Sequence, residues 1–347
     1  MLITEDIKKV VEREDLTSEE AEAVLDQIMT GQCTDAQIAS LLTALRMKGE
    51  TVDELTGFAR VMRRKAAPVR PQTLVSALGG TEREALIDTC GTGGDVSGSF
   101  NVSTATAFVV AGAGVRVAKH GNRSVSSQCG SADVVEALGV RIELQANRIA
   151  RCIDEVGIGF LHAPLLHDAM KYVALARRQM GIRTIFNMLG PLTNPAGANT
   201  QVVGVYAANL TELLARVLGE LGCTRALVVH GGDGLDELTI TGESKITEWK
   251  NGKLSTYFIV PEDFGLKRAS LSDIRGGDAS QNSGIILEVL KGTRGAKRDI
   301  VLLNAAAAFV ASSKANDLGE GVQIAARSID NGNALRKLEQ LIEFTNQ

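Results

Sequence analysis

Along the first 66 residues apolar side chains return at helical spacing: Val24, Leu25 and Ile28; Leu41, Leu42 and Leu45; Leu55, Phe58 and Met62. Each set follows a Thr with Glu or Gln three positions on: Thr17-Ser-Glu-Glu20, Thr34-Asp-Ala-Gln37 and Thr51-Val-Asp-Glu54. In this capping-box pattern the Thr side chain accepts from the N3 amide while the N3 side chain reaches back. Gly31 and Gly49 sit where the first two helices should stop. Short helices of this kind bury little by themselves, so they are expected to pack on a later segment or on a second copy of the chain. Pro68 and Pro71 mark a linker.

From about residue 86 the period changes. Short apolar runs at Leu86–Asp88, Val115–Ala118, Gly159–Leu161, Thr184–Phe186, Val202–Tyr206 and Ala226–Val229 read as strands. Thr104–Ala113, Ser131–Leu138, Ala146–Val156, His167–Met180 and Leu210–Leu221 read as helices. Strand-helix alternation predicts a mostly parallel sheet covered by helices. Lys245–Trp249 and Leu254–Ile259 flank Asn251-Gly252, a hairpin signal. The C-terminal third returns to helices over Gly284–Leu290, Ile300–Ser312, Glu320–Asp330 and Asn333–Phe344. The expected fold is α/β: a small all-helical N-terminal domain and a large α/β domain with a mostly parallel central sheet.

Composition narrows the function classes. With 347 residues, 44% hydrophobic and 22% charged, the chain has the make-up of a globular protein of about two domains. The net charge of −4 argues against tight non-specific binding to nucleic acid, whose affinity comes from neutralised phosphates. Glycine is frequent, 36 residues, while aromatics are only 4%, which favours close backbone approach to a ligand over base-stacking platforms. The five cysteines, Cys33, Cys90, Cys129, Cys152 and Cys223, are scattered and form no C-x-x-C pair, as expected of reduced thiols in a cytoplasmic protein. The N-terminus has no apolar signal region, and the longest weakly polar stretches, Thr104–Val115 and Ile300–Ser313, fall short of the ~20 residues a membrane span needs.

Three strand-to-loop junctions carry candidate chemistry. The first is Asp88-Thr-Cys-Gly91-Thr-Gly93-Gly94-Asp95-Val-Ser-Gly98-Ser-Phe-Asn101-Val-Ser103-Thr104, a strand entering a glycine-rich loop and then a helix near Ser103. Glycines let successive amides turn toward one anion, and the helix N-terminus adds partial positive charge, so this reads as a phosphate or diphosphate cradle. Neither Gly-Lys-Ser/Thr nor G-x-G-x-x-G is present. Asn101, Ser103 and Thr104 are placed as caps or ligand donors. The second junction is Lys119-His120-Gly121-Asn122-Arg123-Ser124-Val125-Ser126-Ser127, where Lys119 and Arg123 can each neutralise a phosphate at a strand's C-terminal end. The third is His230-Gly-Gly-Asp233-Gly-Leu-Asp236-Glu237, whose adjacent carboxylates suit Mg²⁺ beside a diphosphate or belong to an exposed acidic turn. Arg177 and Arg178 lie on the helix beginning near His167, either on a solvated face or as a carboxylate clamp.

The chain resembles the anthranilate phosphoribosyltransferase family of tryptophan biosynthesis. The residues that carry the resemblance run in order from about 86 to 240: Gly91-Thr-Gly-Gly-Asp95, Asn101-Val-Ser-Thr104, Lys119-His-Gly-Asn-Arg123, Gly130-Ser-Ala-Asp133, Arg183-Thr-Ile-Phe-Asn-Met-Leu-Gly-Pro-Leu-Thr-Asn-Pro195 and Asp236-Glu237. A departure is Asp168 after His167, where similar sequences often carry Pro. The resemblance implies a small helical domain of residues 1–66 with about 164–180, a large α/β domain of 67–163 and 181–347, and a homodimer through the helical domains. It implies that phosphoribosyl pyrophosphate meets Gly91, Gly94, Asp95, Ser99, Asn101, Val102, Ser103, Thr104, Lys119, His120, Gly121, Asn122, Arg123, Ser124, Val125, Ser126, Ser127 and Ser131. Anthranilate would meet Gly91, Asn122 and Arg177, and a site for two Mg²⁺ ions would be formed by Ser103, Asp236 and Glu237. No residue is assigned as nucleophile or as acid or base.

Two other readings share the architecture. Pyrimidine nucleoside phosphorylases carry a Lys-Thr-Gly-Gly-Thr-Leu-Asp-Lys type segment, which is absent here. A non-catalytic nucleic-acid-binding relative would be basic and would lack the Asp236-Glu237 pair, whereas this chain is acidic and has it.

Overall fold

A computed structural model describes residues 3–72, 84–94, 98–124 and 128–347. The N-terminal segment folds as four helices, α1 (Ile3–Val11), α2 (Ser18–Met29), α3 (Asp35–Lys48) and α4 (Val52–Lys65). All three capping boxes form, with Thr17, Thr34 and Thr51 accepting from the amides of Glu20, Gln37 and Glu54 at 3.2–3.3 Å. Helix α1 carries no such signature and was not separately legible. The fully buried Glu54 does more than cap: its carboxylate also accepts from the Leu16 amide (3.1 Å) and from Lys48 Nζ (3.1 Å), so one charge ties the start of α4 to the α1–α2 connection and the end of α3. Removing a group held this way strands buried partners.

The sheet has the order β3-β2-β1-β4-β5-β6-β7. Its strands are β1 (Leu86–Gly91), β2 (Arg116–Gly121), β3 (Ile158–His162), β4 (Thr200–Gly204), β5 (Arg225–Gly231), β6 (Ser244–Lys250) and β7 (Lys253–Ile259). The strands from β3 to β5 are parallel, and β6 and β7 add an antiparallel hairpin. Its turn residues Asn251 and Gly252 have φ of 50° and 77°, the left-handed pair that a tight two-residue hairpin needs. The chain leaves β1 toward β2 on one side and reaches β4 on the other. The switch point of the sheet therefore lies at the C-terminal ends of β1 and β4, where open parallel sheets bind ligands.

Alternation along the strands sorts the core into two layers. Val202, Leu227 and Val229 face α5 (Val102–Gly112), α6 (Ser131–Ala137) and the C-terminal helices α12 (Ala279–Leu290), α13 (Ala296–Ala311), α14 (Leu318–Asp330) and α15 (Asn333–Asn346). Val203, Ala226 and Val228 face the N-terminal helices together with α10 (Phe186–Leu192) and α11 (Leu210–Glu220). Between β2 and β4 the chain also forms α7 (Ala146–Arg151), widening into a π-turn at Cys152–Val156, then α8 (Ala163–Leu166), a 3₁₀ turn at Asp168–Met170 and α9 (Lys171–Met180).

The expectation that the first helices pack on a later segment holds: α9 packs against α2 and α3, and α4 against α10 and α11. Arg63 of α4 fixes the second contact. Its Nε donates to Leu192 O at 2.7 Å and its Nη1 to Leu221 O at 3.0 Å, so a half-buried cation satisfies carbonyls at the C-terminal ends of two helices. The strand expected at Thr184–Phe186 does not form. Ile185 and Phe186 enter α10 instead, buried against the bundle, where Phe58 and Phe186 meet at 6.5 Å. A short apolar run serves a strand or a buried helix start equally, and tertiary packing decided. Among the described residues no helix is long and apolar enough to cross a membrane, and none of the five cysteines is in a disulfide.

Candidate active site

The glycine-rich loop leaves β1 at the switch point. Gly93 and Gly94 have φ of 66° and 76°, a conformation that L side chains rarely adopt, so the cradle needs glycine for its backbone. Two further glycines serve close approach. A Cβ at Gly204 would collide with the main-chain carbonyl of Asp236, and one at Gly91 would collide with its carboxylate. These paired residues of β4 and β1 thus let the β5–β6 loop lie directly over the strand ends.

That approach brings the acidic pair onto the cradle. Asp236 Oδ2 accepts from the Gly93 amide at 2.8 Å, and Glu237 Oε1 accepts from the Ser103 amide at 3.0 Å, in the first turn of α5. Carboxylates on a helix N-terminus and on a turned glycine amide identify both as anion-binding donors. The Ser103 hydroxyl receives Lys119 Nζ at 3.3 Å, and the same ammonium donates to Thr89 O at 2.6 Å. Lys119 is thus buried beneath the loop, its charge set below the helix start. Ser103, Asp236 and Glu237 therefore share one corner with hard oxygen donors, the type Mg²⁺ takes. Among the described residues no group of three or more His, Cys, Asp or Glu is placed to hold a metal ion by itself.

The remaining predicted residues divide. Asn122, Ser124 and Ser131 lie around the β2 exit: Ser131 Oγ accepts from the Asn122 amide at 3.2 Å, and Asp133 accepts from the amides of Ser124 and Gly130 at 3.1 and 2.9 Å. A Cβ at Gly121 would strike Ser131 Oγ, which keeps this turn tight. Ser99 pairs with Arg275 in an isolated bridge at the rim. Arg123 is committed elsewhere, its guanidinium bonded to Asp133 (3.0 Å) and Glu136 (2.9 Å), which raise its pKa further. Asn101 occupies the N-cap position without a side-chain capping bond. Its amide instead donates to Cys129 O, and its oxygen accepts from Asn282. Val102 and Thr104 are buried in α5, leaving their backbone as the part that can face a ligand. Asp95, Val125, Ser126 and Ser127 lie outside the described residues.

Arg177 stands near the C-terminal end of α9, half-buried, its guanidinium 5.2 Å over the Phe186 ring. Burial lowers its pKa, and no hydrogen bond or ion pair holds its side chain among the described residues. A desolvated planar cation without a carboxylate partner is suited to a carboxylate ligand, which it can take bidentately. Two further contacts join the segments on either side of α9 to the strand ends. The rings of His120 and His167 lie 5.1 Å apart, and Arg183 donates to the carbonyl of Gly94. Burial keeps both imidazoles neutral, pushing His120 down to about 3 and His167 to about 4.

Two residues of the site were missed in the sequence. Arg183 grips the cradle from the far side and lies 4.3 Å over the Tyr206 ring. Asp88, wholly buried in β1, accepts from the His120 amide (3.2 Å) and from Asn194 Nδ2 (2.8 Å), joining β2 and the loop after α10 under the site. Burial lifts its pKa to about 6, against the pull of Lys119 and Asn194. A carboxylate inside an apolar strand was the available signal, since such a group stays only when it is partnered.

Comparison with known proteins agrees with this architecture. Residues 83–335 match the glycosyl transferase family a/b domain, and residues 5–66 match its helical bundle domain. The chain is 56% identical over 344 residues to anthranilate phosphoribosyltransferase of Pelotomaculum thermopropionicum, covering 99% of this chain and 97% of the relative. It is also 56% identical over 338 residues to that of Moorella thermoacetica, covering 97% of each. The crystal structure of the Thermus thermophilus enzyme superposes with a TM-score of 0.91 at 42% identity, covering 98% of this chain and 99% of that one. The Saccharomyces cerevisiae enzyme in complex with phosphoribosyl pyrophosphate and Mg gives 0.88 at 28% identity, covering 99% and 98%. A cradle at the switch point with an acidic pair closing over it thus sits on a backbone shared end to end with these enzymes, and the chain belongs to the anthranilate phosphoribosyltransferase family.

Proposed function

We propose that this chain transfers the phosphoribosyl group of 5-phosphoribosyl 1-pyrophosphate to the amine of anthranilate, giving N-(5-phosphoribosyl)anthranilate and pyrophosphate, the second step from chorismate to tryptophan. The observation that carries the reading is the convergence of Asp236 and Glu237 on the amides of Gly93 and Ser103. Donors that hold carboxylates suit pyrophosphate oxygens, and the carboxylates beside them suit magnesium. Ser103, Asp236 and Glu237 would hold Mg²⁺, two ions per chain, and when bound the metal supplies positive charge against the pyrophosphate.

The residues divide the remaining tasks. The cradle amides, the N-terminus of α5 and the buried Lys119 favour charge that grows on the leaving oxygens as the bond from ribose C1 to pyrophosphate breaks. Arg177 takes the anthranilate carboxylate, with Gly91 and Asn122 beside the ring, and so holds the amine toward C1. The amine attacks as the neutral base and needs no covalent intermediate on the protein. The division into a small helical domain, residues 1–66 with about 164–180, and a large α/β domain separates α9 with Arg177 from the cradle. Exposed Met47, Leu165, Tyr172, Leu175 and Ile182 on and beside the helical part support a homodimer through the helical domain. The enzyme acts in the cytoplasm.

Purified protein should quench anthranilate fluorescence only when phosphoribosyl pyrophosphate and Mg²⁺ are both added. Absence of that loss, with phosphate-dependent cleavage of pyrimidine nucleosides in its place, would overturn the proposal.

A further inference from the structure

We propose that Arg183 is a positioning residue that couples the two substrate sites, so that pyrophosphate bound in the cradle tightens the binding of anthranilate at Arg177. The inference rests on the substrate placement given under Proposed function. Arg183 follows α9 by three residues, and α9 carries Arg177. Its guanidinium donates to the carbonyl of Gly94, in the left-handed part of the cradle, and makes no other hydrogen bond among the described residues. A Cβ at Gly94 would stand 2.9 Å from Arg183 Nη2, so the guanidinium packs directly on the bare Cα of a residue whose φ of 76° already calls for glycine. Tyr206 steers the guanidinium from below, 4.3 Å from ring centroid to Cζ. The Tyr206 amide in turn donates to Thr92 Oγ1 at 3.2 Å, which ties the residue carrying the ring to the start of the cradle.

Arg183 is thus a direct polar tie between the segment that carries Arg177 and the loop that turns its amides to pyrophosphate. An anion on those amides selects the loop conformation that presents the Gly94 carbonyl to Arg183. That conformation also places the end of α9, so the ordering needed for the second ligand is partly complete. Coupling of this kind is reciprocal: anthranilate must tighten pyrophosphate by the same factor.

The test uses fluorescence titration of anthranilate on the intact protein, with and without saturating inorganic pyrophosphate and Mg²⁺, a pair that binds without reacting. In the wild type the Kd for anthranilate should fall by roughly 5-fold or more when pyrophosphate is present, within the usual range of site-to-site coupling. In Arg183→Ala the ratio should drop to within about twofold of unity, while anthranilate alone binds nearly as before. Arg183→Lys should not restore it, because an ammonium neither stacks on Tyr206 nor holds the planar geometry. Tyr206→Leu leaves the charge and removes the ring. It should lower the ratio too, and it carries the test if Arg183→Ala does not fold. A wild-type ratio near unity, or an Arg183→Ala ratio equal to wild type, overturns the proposal. Arg177→Ala separates the two levels. If it leaves anthranilate binding unchanged, the substrate placement fails and the coupling with it. If it weakens binding while Arg183→Ala keeps the ratio, the coupling alone fails.

Discussion

Replacing His167 by Phe should flatten the acid side of this protein's stability curve. His167 is 6% exposed, neither ring nitrogen has a hydrogen-bond partner among the described residues, and burial pushes its pKa down to about 4 from 6.5. The folded chain therefore keeps the ring neutral while the unfolded chain takes up a proton below pH 6.5. The unfolded state binds more protons in that window, so stability falls as pH falls, by about 1.4 kcal/mol per pH unit for one group. Between pH 6.5 and 4 the loss from His167 reaches about 3 kcal/mol. His120, lowered to about 3 mainly by burial, acts with the same sign. Asp88 acts with the opposite sign: its folded pKa of about 6 lies above the ordinary 3.8, so the folded state takes that proton first and gains stability as pH falls from 6 toward 3.8. Around pH 5 these three groups leave the unfolded chain with about one extra proton, and His167→Phe removes it. Phe keeps a ring against His120, whose centroid is 5.1 Å away, and discards two unpaired nitrogens, so stability at pH 7.5 should change by less than about 1 kcal/mol. Urea unfolding at pH 7.5, 5.5 and 4.5, followed by Trp249 fluorescence, measures the difference in slope. A variant that loses stability below pH 6.5 as steeply as wild type would refute the reasoning.

Asp236→Asn with Glu237→Gln keeps oxygen acceptors for the Gly93 and Ser103 amides while removing both negative charges. Activity should fall steeply and need more Mg²⁺ with little change in the thermal midpoint, and wild-type activity at low Mg²⁺ would exclude the pair as metal ligands. Arg177→Ala should raise the KM for anthranilate about 10- to 150-fold, the value of roughly 1.5–3 kcal/mol for a charged hydrogen-bonded partner, with a much smaller change for phosphoribosyl pyrophosphate. Arg177→Lys should rescue only part of that loss, and equal rises for both substrates would point to a folding defect. Gly93→Ala meets open space but a φ of 66°, so it should cost the loop roughly 1–2 kcal/mol. Gly94→Ala adds the contact with Arg183 and should weaken phosphoribosyl pyrophosphate further. In both variants the ligand-induced rise in thermal midpoint should shrink while the ligand-free midpoint barely moves, and an unshrunken rise would leave these glycines an ordinary turn.

What the sequence determined by itself was local. Capping boxes at Thr17, Thr34 and Thr51 and the Asn251-Gly252 turn form as read, and so does most of the alternation of strands with helices, because each depends on contacts within a few residues. The glycine loop was legible for the same reason, since its turned amides follow from residue type. Tertiary structure decided the rest, because it depends on partners distant in the chain. Thr184–Phe186 became the entry to a helix once Phe186 met Phe58, 128 positions earlier. Arg123 and Arg177 look alike in sequence, yet Asp133 and Glu136 occupy the first, while the second lies over the Phe186 ring with no hydrogen bond or ion pair among the described residues. Lys119 went under the cradle, Arg183 onto its far side, and Asp236 and Glu237 crossed from the β5–β6 loop to the Gly93 and Ser103 amides more than 130 residues away. Sequence patterns carry the short-range preferences of the backbone. Which charges meet, and which backbone amides they reach, is a property of the packed sheet that brings those segments together.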